Sequence, residues 1–174
     1  MARFRLVPER SSLAIDARSN VGPIRWEAAG LRGGFEVVES GPQAIDPRNV
    51  QMAELELAVD SLTSGNPLYD AELLRRIDAR AYPTAQVALR HIDSVGTANR
   101  YQLQGDLTFH GVTRLLTGTV VVAFPKPDVA LVYGEKVIDI RDFDVPSPAV
   151  LMLKILPDVR VRMSLEAERD GLIR

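Results

Sequence analysis

Between Val59 and Gly118 the chain spells out a strand, a short helix and three more strands joined by hairpins, with tight turn signals that pin the register. Ala53, Leu55, Leu57 and Val59 fall on one side of an extended run, and Glu54, Glu56 and Asp60 fall on the other. That two-residue period belongs to a strand with one face on a core and one in water. Ala85, Val87, Leu89 and His91 repeat it, as do Tyr101, Leu103, Gly105, Leu107 and Phe109. Gly111 turns the chain back into Val112 to Phe124, where Val120, Val122 and Phe124 alternate with Thr119, Val121 and Ala123. A helical period fits only once. Asn66-Pro67 is a start, because Asn accepts from open backbone N–H groups and Pro suits the first helical position. Asp70 and Glu72 come early and Arg75, Arg76 and Arg80 late, matching the helix dipole. Tyr69, Leu73 and Ile77 share a face with Leu74 beside them, and Tyr82-Pro83 ends the segment. A lone amphipathic helix among strands has no bundle to join, so it is expected as a plug or lid on a sheet.

The flanks carry the same signature. Phe4 and Leu6, then Leu13, Ile15 and Ala17, alternate with polar residues around a break at Pro8. Asn20-Val21-Gly22-Pro23 is a turn, and Ile24 to Val38 continues as β structure whose Gly30, Gly33 and Gly34 suit bulges or close backbone approach. Gly41-Pro42 and Asp46-Pro47 bound a loop, and a further loop runs from Ser94 to Asn99. Pro125 to Asp128 reads as a turn, Val129 to Ile140 as a strand interrupted by Gly134, and Asp142 to Pro148 as a loop. Val159, Val161, Met163, Leu165 and Ala167 form the inner row of a last strand. Roughly eight strands and one helix predict an all-β antiparallel barrel or sandwich, in a single domain over 1–174. The strand–helix rhythm of a Rossmann or TIM fold is missing.

Composition removes several chemistries. With no Cys there is no disulfide, thiolate metal site or cysteine nucleophile, and two His cannot make a three-imidazole metal site. A net charge of −2 gives no footprint for nucleic acid. The amino terminus lacks the apolar core of a secretion signal and no run reaches the length of a membrane-spanning helix, which predicts a soluble, cytoplasmic protein. Phosphate loops, a dinucleotide fingerprint, a His-Glu-x-x-His helix and a nucleophile elbow are all absent.

Several short motifs, in order over most of the chain, carry a family likeness. They are Pro8-Glu9-Arg10-Ser11-Ser12, Asp60-Ser61-Leu62-Thr63-Ser64-Gly65-Asn66, Asp70 with Leu73-Leu74-Arg75, and Tyr82-Pro83-Thr84. The most specific is Gly105-Asp106-Leu107-Thr108-Phe109-His110-Gly111-Val112-Thr113. The sequence resembles the YceI-like proteins, a bacterial family of lipocalin-like, polyisoprenoid-binding barrels. The resemblance implies an extended eight-stranded antiparallel barrel with a helix near one end, commonly dimeric, with an isoprenoid-type chain in its lumen. This chain has Arg10 where the family has His, and Ile77-Asp78-Ala79-Arg80 where it has an aromatic pair. Asp142-Phe143-Asp144-Val145 matches the family's Asp-Phe-Gly-like turn only in part.

His110, beside Gly111 at a hairpin tip, reads first as a turn residue whose ring bonds local backbone, and second as a headgroup anchor or general base. His91 is read the same way. Asp70 and Glu72 read as dipole-matching residues on a solvated helix face rather than an acid–base pair. The run Ala149 to Leu156, with Lys154 its one charge, reads as a buried strand, as barrel wall against a lipid tail, or as a dimer surface.

An eight-stranded barrel either fills with side chains or holds one ligand. The leading expectation is a non-enzymatic binding or transport protein for a long apolar molecule, isoprenoid or fatty-acid-like, with no catalytic residue, metal or resident cofactor. Its wall would be Leu55, Leu57 and Val59 from one strand, Val87 and Leu89 from the next, then Leu103, Leu107 and Phe109. Val120, Val122 and Phe124 complete it, and Tyr69, Leu73 and Ile77 close one end. The alternatives are an enzyme acting on a small apolar substrate through His110 and a carboxylate, and an interaction protein with a solid barrel.

Overall fold

Alternation and turn chemistry together lay out ten strands and one helix in the computed structural model, which describes residues 1–41, 45–97, 99–146 and 154–171. They are β1 (Ala2–Leu6), β2 (Ser12–Ser19), β3 (Gly22–Ala29), β4 (Arg32–Val37) and β5 (Val50–Ala58). Then follow α1 (Pro67–Arg76), β6 (Thr84–Ser94), β7 (Arg100–Phe109), β8 (Val112–Lys126), β9 (Val129–Asp139) and β10 (Asp158–Arg169). Eight of the strands close a ring in the order β1-β4-β5-β6-β7-β8-β9-β10, with β1 pairing back onto β10 and every pair antiparallel. The same edge of β10 carries β2 further along, from Ser12↔Ser164 to Asp16↔Arg160. β1 and β2 are therefore two halves of one strand broken by the 3-10 turn Pro8–Arg10. Buried Ser11 seals the step by bonding the backbone of Glu166. β3 pairs on β2 and extends the wall at the helix end of the barrel, where Glu27 bridges to Thr63.

The glycines of β4 serve close approach. A side chain on Gly33 would collide with the carbonyl oxygen of Glu54, and one on Gly34 with that of Phe4, so β4 can wedge between β5 and β1 only without them. Phe4 stacks on Phe35 with ring centres 4.7 Å apart and meets Phe124 edge-on at 6.1 Å, fixing the end of the barrel away from the helix.

Helix α1 starts as its caps dictate. The Asn66 side chain accepts from the backbone N–H groups of Leu68 and Tyr69 at 3.0 and 3.4 Å. It ends sooner than the sequence suggests, at Arg76, because Asp78 takes a left-handed φ of 48° and Tyr82 N then bonds Asp78 O. Arg80 thus lies beyond the helix. Three other readings change. β9 runs unbroken through Gly134, whose missing side chain makes room for Val120 and Met163. β8 continues through Pro125 to Lys126, with a register shift after Ala123. In β6, Arg90 is an extra residue between Leu89↔Gly105 and His91↔Gln104. That bulge reverses the phase, so His91 faces water and Ile92 turns inward.

Of the apolar run 149–156, residues 149–153 lie outside the described residues, and Ile155 bridges to Ser19. Ser147 and Pro148 of the expected loop lie outside as well; its first part is a 3-10 turn, Ile140–Phe143. Among the described residues no helix is long and apolar enough to cross a membrane.

Candidate functional site: the barrel lumen

The inner rows of the barrel do not meet across its centre. A cavity of about 410 Å³ runs between them, within the usual range of ligand pockets. Val87, Leu89, Leu103 and Leu107 point inward yet are only half-buried, because they face this space rather than one another.

Each expected wall residue can be placed. Leu55, Leu57 and Val59 line the cavity, as do Val87, Leu89, Leu103 and Leu107. So do Phe109, Val120, Val122, Phe124, Leu73 of α1 and Ile77 just past its end. Tyr69 does not: it sits on α1 against the main core cluster, one turn short of the lumen. Other lining residues went unread in the sequence. Trp26 and Leu31 belong to the β3–β4 wall, and Ile92 arrives through the Arg90 bulge. Phe143 and Val145 follow the last residues of β9. Trp26 could have been found from its alternation with Ile24 and Ala28; Phe143, on a 3-10 turn, has no periodic signal.

A second cluster closes the helix end, with Val59, Ile77, Phe143 and Val145 buried against Leu73, Phe109 and Ile140. His110 fastens it from outside. Its Nδ1–H donates to the carbonyl of Phe143 at 2.9 Å, and Tyr82 meets its ring edge-on at 5.1 Å. The bond is to backbone, but to a segment 33 positions away rather than a local one. His91 is exposed and bonds Asp93 at 2.6 Å.

Charged groups gather around the wall. Glu72 takes Arg75 and Arg76, each at 2.8 Å, and those two bonds outweigh burial to hold its carboxyl below the usual range. Its side chain is only 15% exposed, so it does not belong to a solvated helix face. Burial pushes Asp70 up, but bonds from Ser64 and Thr63 more than offset this and keep it low while tying the loop before α1. Asp16 is held low first by Arg25 at 2.6 Å and then, against its partial burial, by Arg162. Among the described residues no three His, Asp or Glu are grouped as a metal site.

A family model for the YceI-like domain matches residues 4–167, nearly the whole barrel. The chain belongs to the YceI-like family. Its fold recurs in BcnA of Burkholderia cenocepacia, at a TM-score of 0.77 and 19% identity over 92% of this chain and 98% of that one. A polyisoprenoid-binding domain from Saccharophagus degradans, implicated in plant cell wall breakdown, aligns at 0.74 and 17% identity over 95% and 97%. The YceI protein of Campylobacter jejuni aligns at 0.61 and 16% over 79% and 82%. No curated protein matches the chain. This YceI-like barrel therefore shares its architecture with proteins that have diverged far in sequence.

Proposed function

We propose that this YceI-like barrel binds a single apolar chain, isoprenoid or fatty-acyl in character, in its lumen, and carries it without transforming it. The observation that supports the reading is the cavity of about 410 Å³ walled by aliphatic and aromatic side chains. Each methylene moved from water into such a space contributes about 0.8 kcal/mol, so a tail alone binds tightly with few polar contacts. The described polyisoprenoid-binding relative supports the same class of ligand.

Mass spectrometry of an organic extract of the purified protein should reveal a bound single-chain lipid. After delipidation, a fluorescent fatty acid should titrate back to saturation. Leu107 lines the cavity, so Leu107→Trp should weaken that binding strongly while lowering the melting temperature little, the ring entering open space. In a solid barrel the same change would over-pack the core at about 1–3 kcal/mol. A marked fall in melting temperature, together with no uptake by the parent protein, would sink the reading.

A further inference from the structure

The barrel wall is open on one side. β8 is paired to β7 along its length, from Phe109↔Val112 to Arg100↔Val121, and β9 to β10 from Asp139↔Asp158 to Val129↔Glu168. Between β8 and β9, however, the ladder covers only Val120↔Gly134 to Lys126↔Val129. Toward the helix end the two strands part. Beyond the parting, among the described residues, Arg114 Nε donates to the carbonyl of Asp142 at 2.9 Å. The stretch of β8 between these ties, 115–119, is roughly 16 Å long at the rise of a strand.

The lips of this gap behave as an opening should. Thr117, Thr119 and Glu135 stand on the outward rows yet border the cavity, which the described residues permit only where the wall between them is open. A Cβ on Gly118 would meet no atom within 4 Å, and its φ is outside the left-handed region. Neither a turn nor a close approach asks for glycine there, and glycine within a strand is destabilising. What it leaves is space at the edge of the lumen. Leu115 and Val137, one on each lip, are 56% and 51% exposed.

Lys136 occupies the gap. It lies on the inward row of β9, between Gly134 and Ile138 and opposite Val161, all of which line the lumen. Yet Lys136 is exposed, so its apolar stem leaves the lumen and its ammonium reaches water through the gap. Neighbouring Glu135 is engaged by Arg160 at 2.5 Å and by the Tyr133 hydroxyl at 3.2 Å. The Thr117 and Thr119 hydroxyls complete a polar rim.

We infer that this gap is the portal by which a chain enters the lumen, and that Lys136 holds the anionic head of a single-chain amphiphile at it. The head is a carboxylate or a phosphate. A dry cavity of 150 Å³ takes one benzene ring, so about 410 Å³ takes on the order of sixteen carbons. The inference rests on the proposed lumen binding and adds a route, a length and a charge to it.

Delipidated protein is titrated with hexadecanoate, farnesyl monophosphate and hexadecan-1-ol, and association rates are followed by stopped flow. Both anions should bind about tenfold or more tighter than the alcohol, the worth of one charge-assisted bond. Whichever anion binds tighter identifies the head as carboxylate or phosphate. Lys136→Gln should erase that advantage and leave the alcohol and the melting temperature unchanged, whereas Lys136→Arg should keep it. Gly118→Leu should fold normally and slow entry of all three probes. Equal binding of acid and alcohol, or indifference to Lys136→Gln, overturns the anchor. Unchanged association rates in a folded Gly118→Leu protein overturn the portal. Failure of the parent protein to bind any of the three, the neutral alcohol included, instead overturns the lumen reading beneath both.

Discussion

At Gly111 the backbone takes φ of 73° immediately after His110 at 53°, so both central residues of the β7–β8 hairpin are left-handed, as a two-residue type I′ turn requires. A Cβ at Gly111 would also stand 2.5 Å from the Tyr82 ring. Gly111→Val should therefore destabilise the protein by about 1–3 kcal/mol, read as a lower urea midpoint. Replacing Gly118 in the same way meets neither obstacle, and the contrast between two glycines of one hairpin is itself a check. The left-handed angle of Gly111 was legible in the sequence, because two alternating runs meet there and glycine adopts that angle freely. That of His110 was not: His tolerates it, but nothing in its neighbours demands it. Its bond to Phe143 was hidden too, since 33 residues separate the partners. His110→Ala should lower the melting temperature by loosening the helix end while apolar uptake persists. A loss of affinity at unchanged stability would make it a ligand contact instead.

Among the elements, strands read well because the pleat imposes a strict period, and the N-terminus of α1 read well because its cap is chemical. Asn66→Ala should cost about 1 kcal/mol in chemical denaturation, since two backbone N–H groups lose their acceptor. Boundaries set by backbone conformation alone were harder. Arg75 to Ala81 contains neither Gly nor Pro, so nothing in the sequence announced the left-handed Asp78 that stops the helix. The bulge in β6 left a trace, for Ile92 falls out of phase with Val87 and Leu89. Arg90 bonds Asp106 at 2.7 Å from within it. Deleting Arg90 should restore simple alternation with His91 still outward, opposite Gln104, and Ile92 still inward, opposite Leu103. The variant loses the Arg90–Asp106 bond but should keep its lumen wall, so ligand uptake should persist at little cost in stability. A folded deletion variant that no longer takes up ligand would show that the bulge's local twist, and not only the facing of Ile92, shapes the wall.

For the whole molecule, an eight-stranded antiparallel barrel was legible, but its hollowness was not. Apolar inner rows look the same whether side chains fill the centre or stop short of it. The difference lies in small residues such as Gly118 and in strands that part, which are properties of three-dimensional spacing. Acid should expose the electrostatic side of this architecture. Asp16, Asp46, Asp70, Glu72 and Asp139 are all held below their ordinary range, so each binds protons less readily folded than unfolded. Their contribution is complete above the ordinary carboxylate range, at about pH 4, and is lost as the pH falls through the lower folded values. Melting temperatures should be flat near neutrality and drop below about pH 4, less steeply in high salt for the exposed pairs. A flat profile down to pH 2 would contradict that assignment. The seam of the ring has a consequence for the newborn chain. β10 receives β9 on one edge and both halves of the broken first strand on the other, so the first and last strands of the ring join there. While a ribosome is still making residues 158–169, β1, β2 and β9 each keep a bare edge. Closure must follow the last strand, which makes the nascent barrel a slow folder and a natural client for whatever shields unpaired edges.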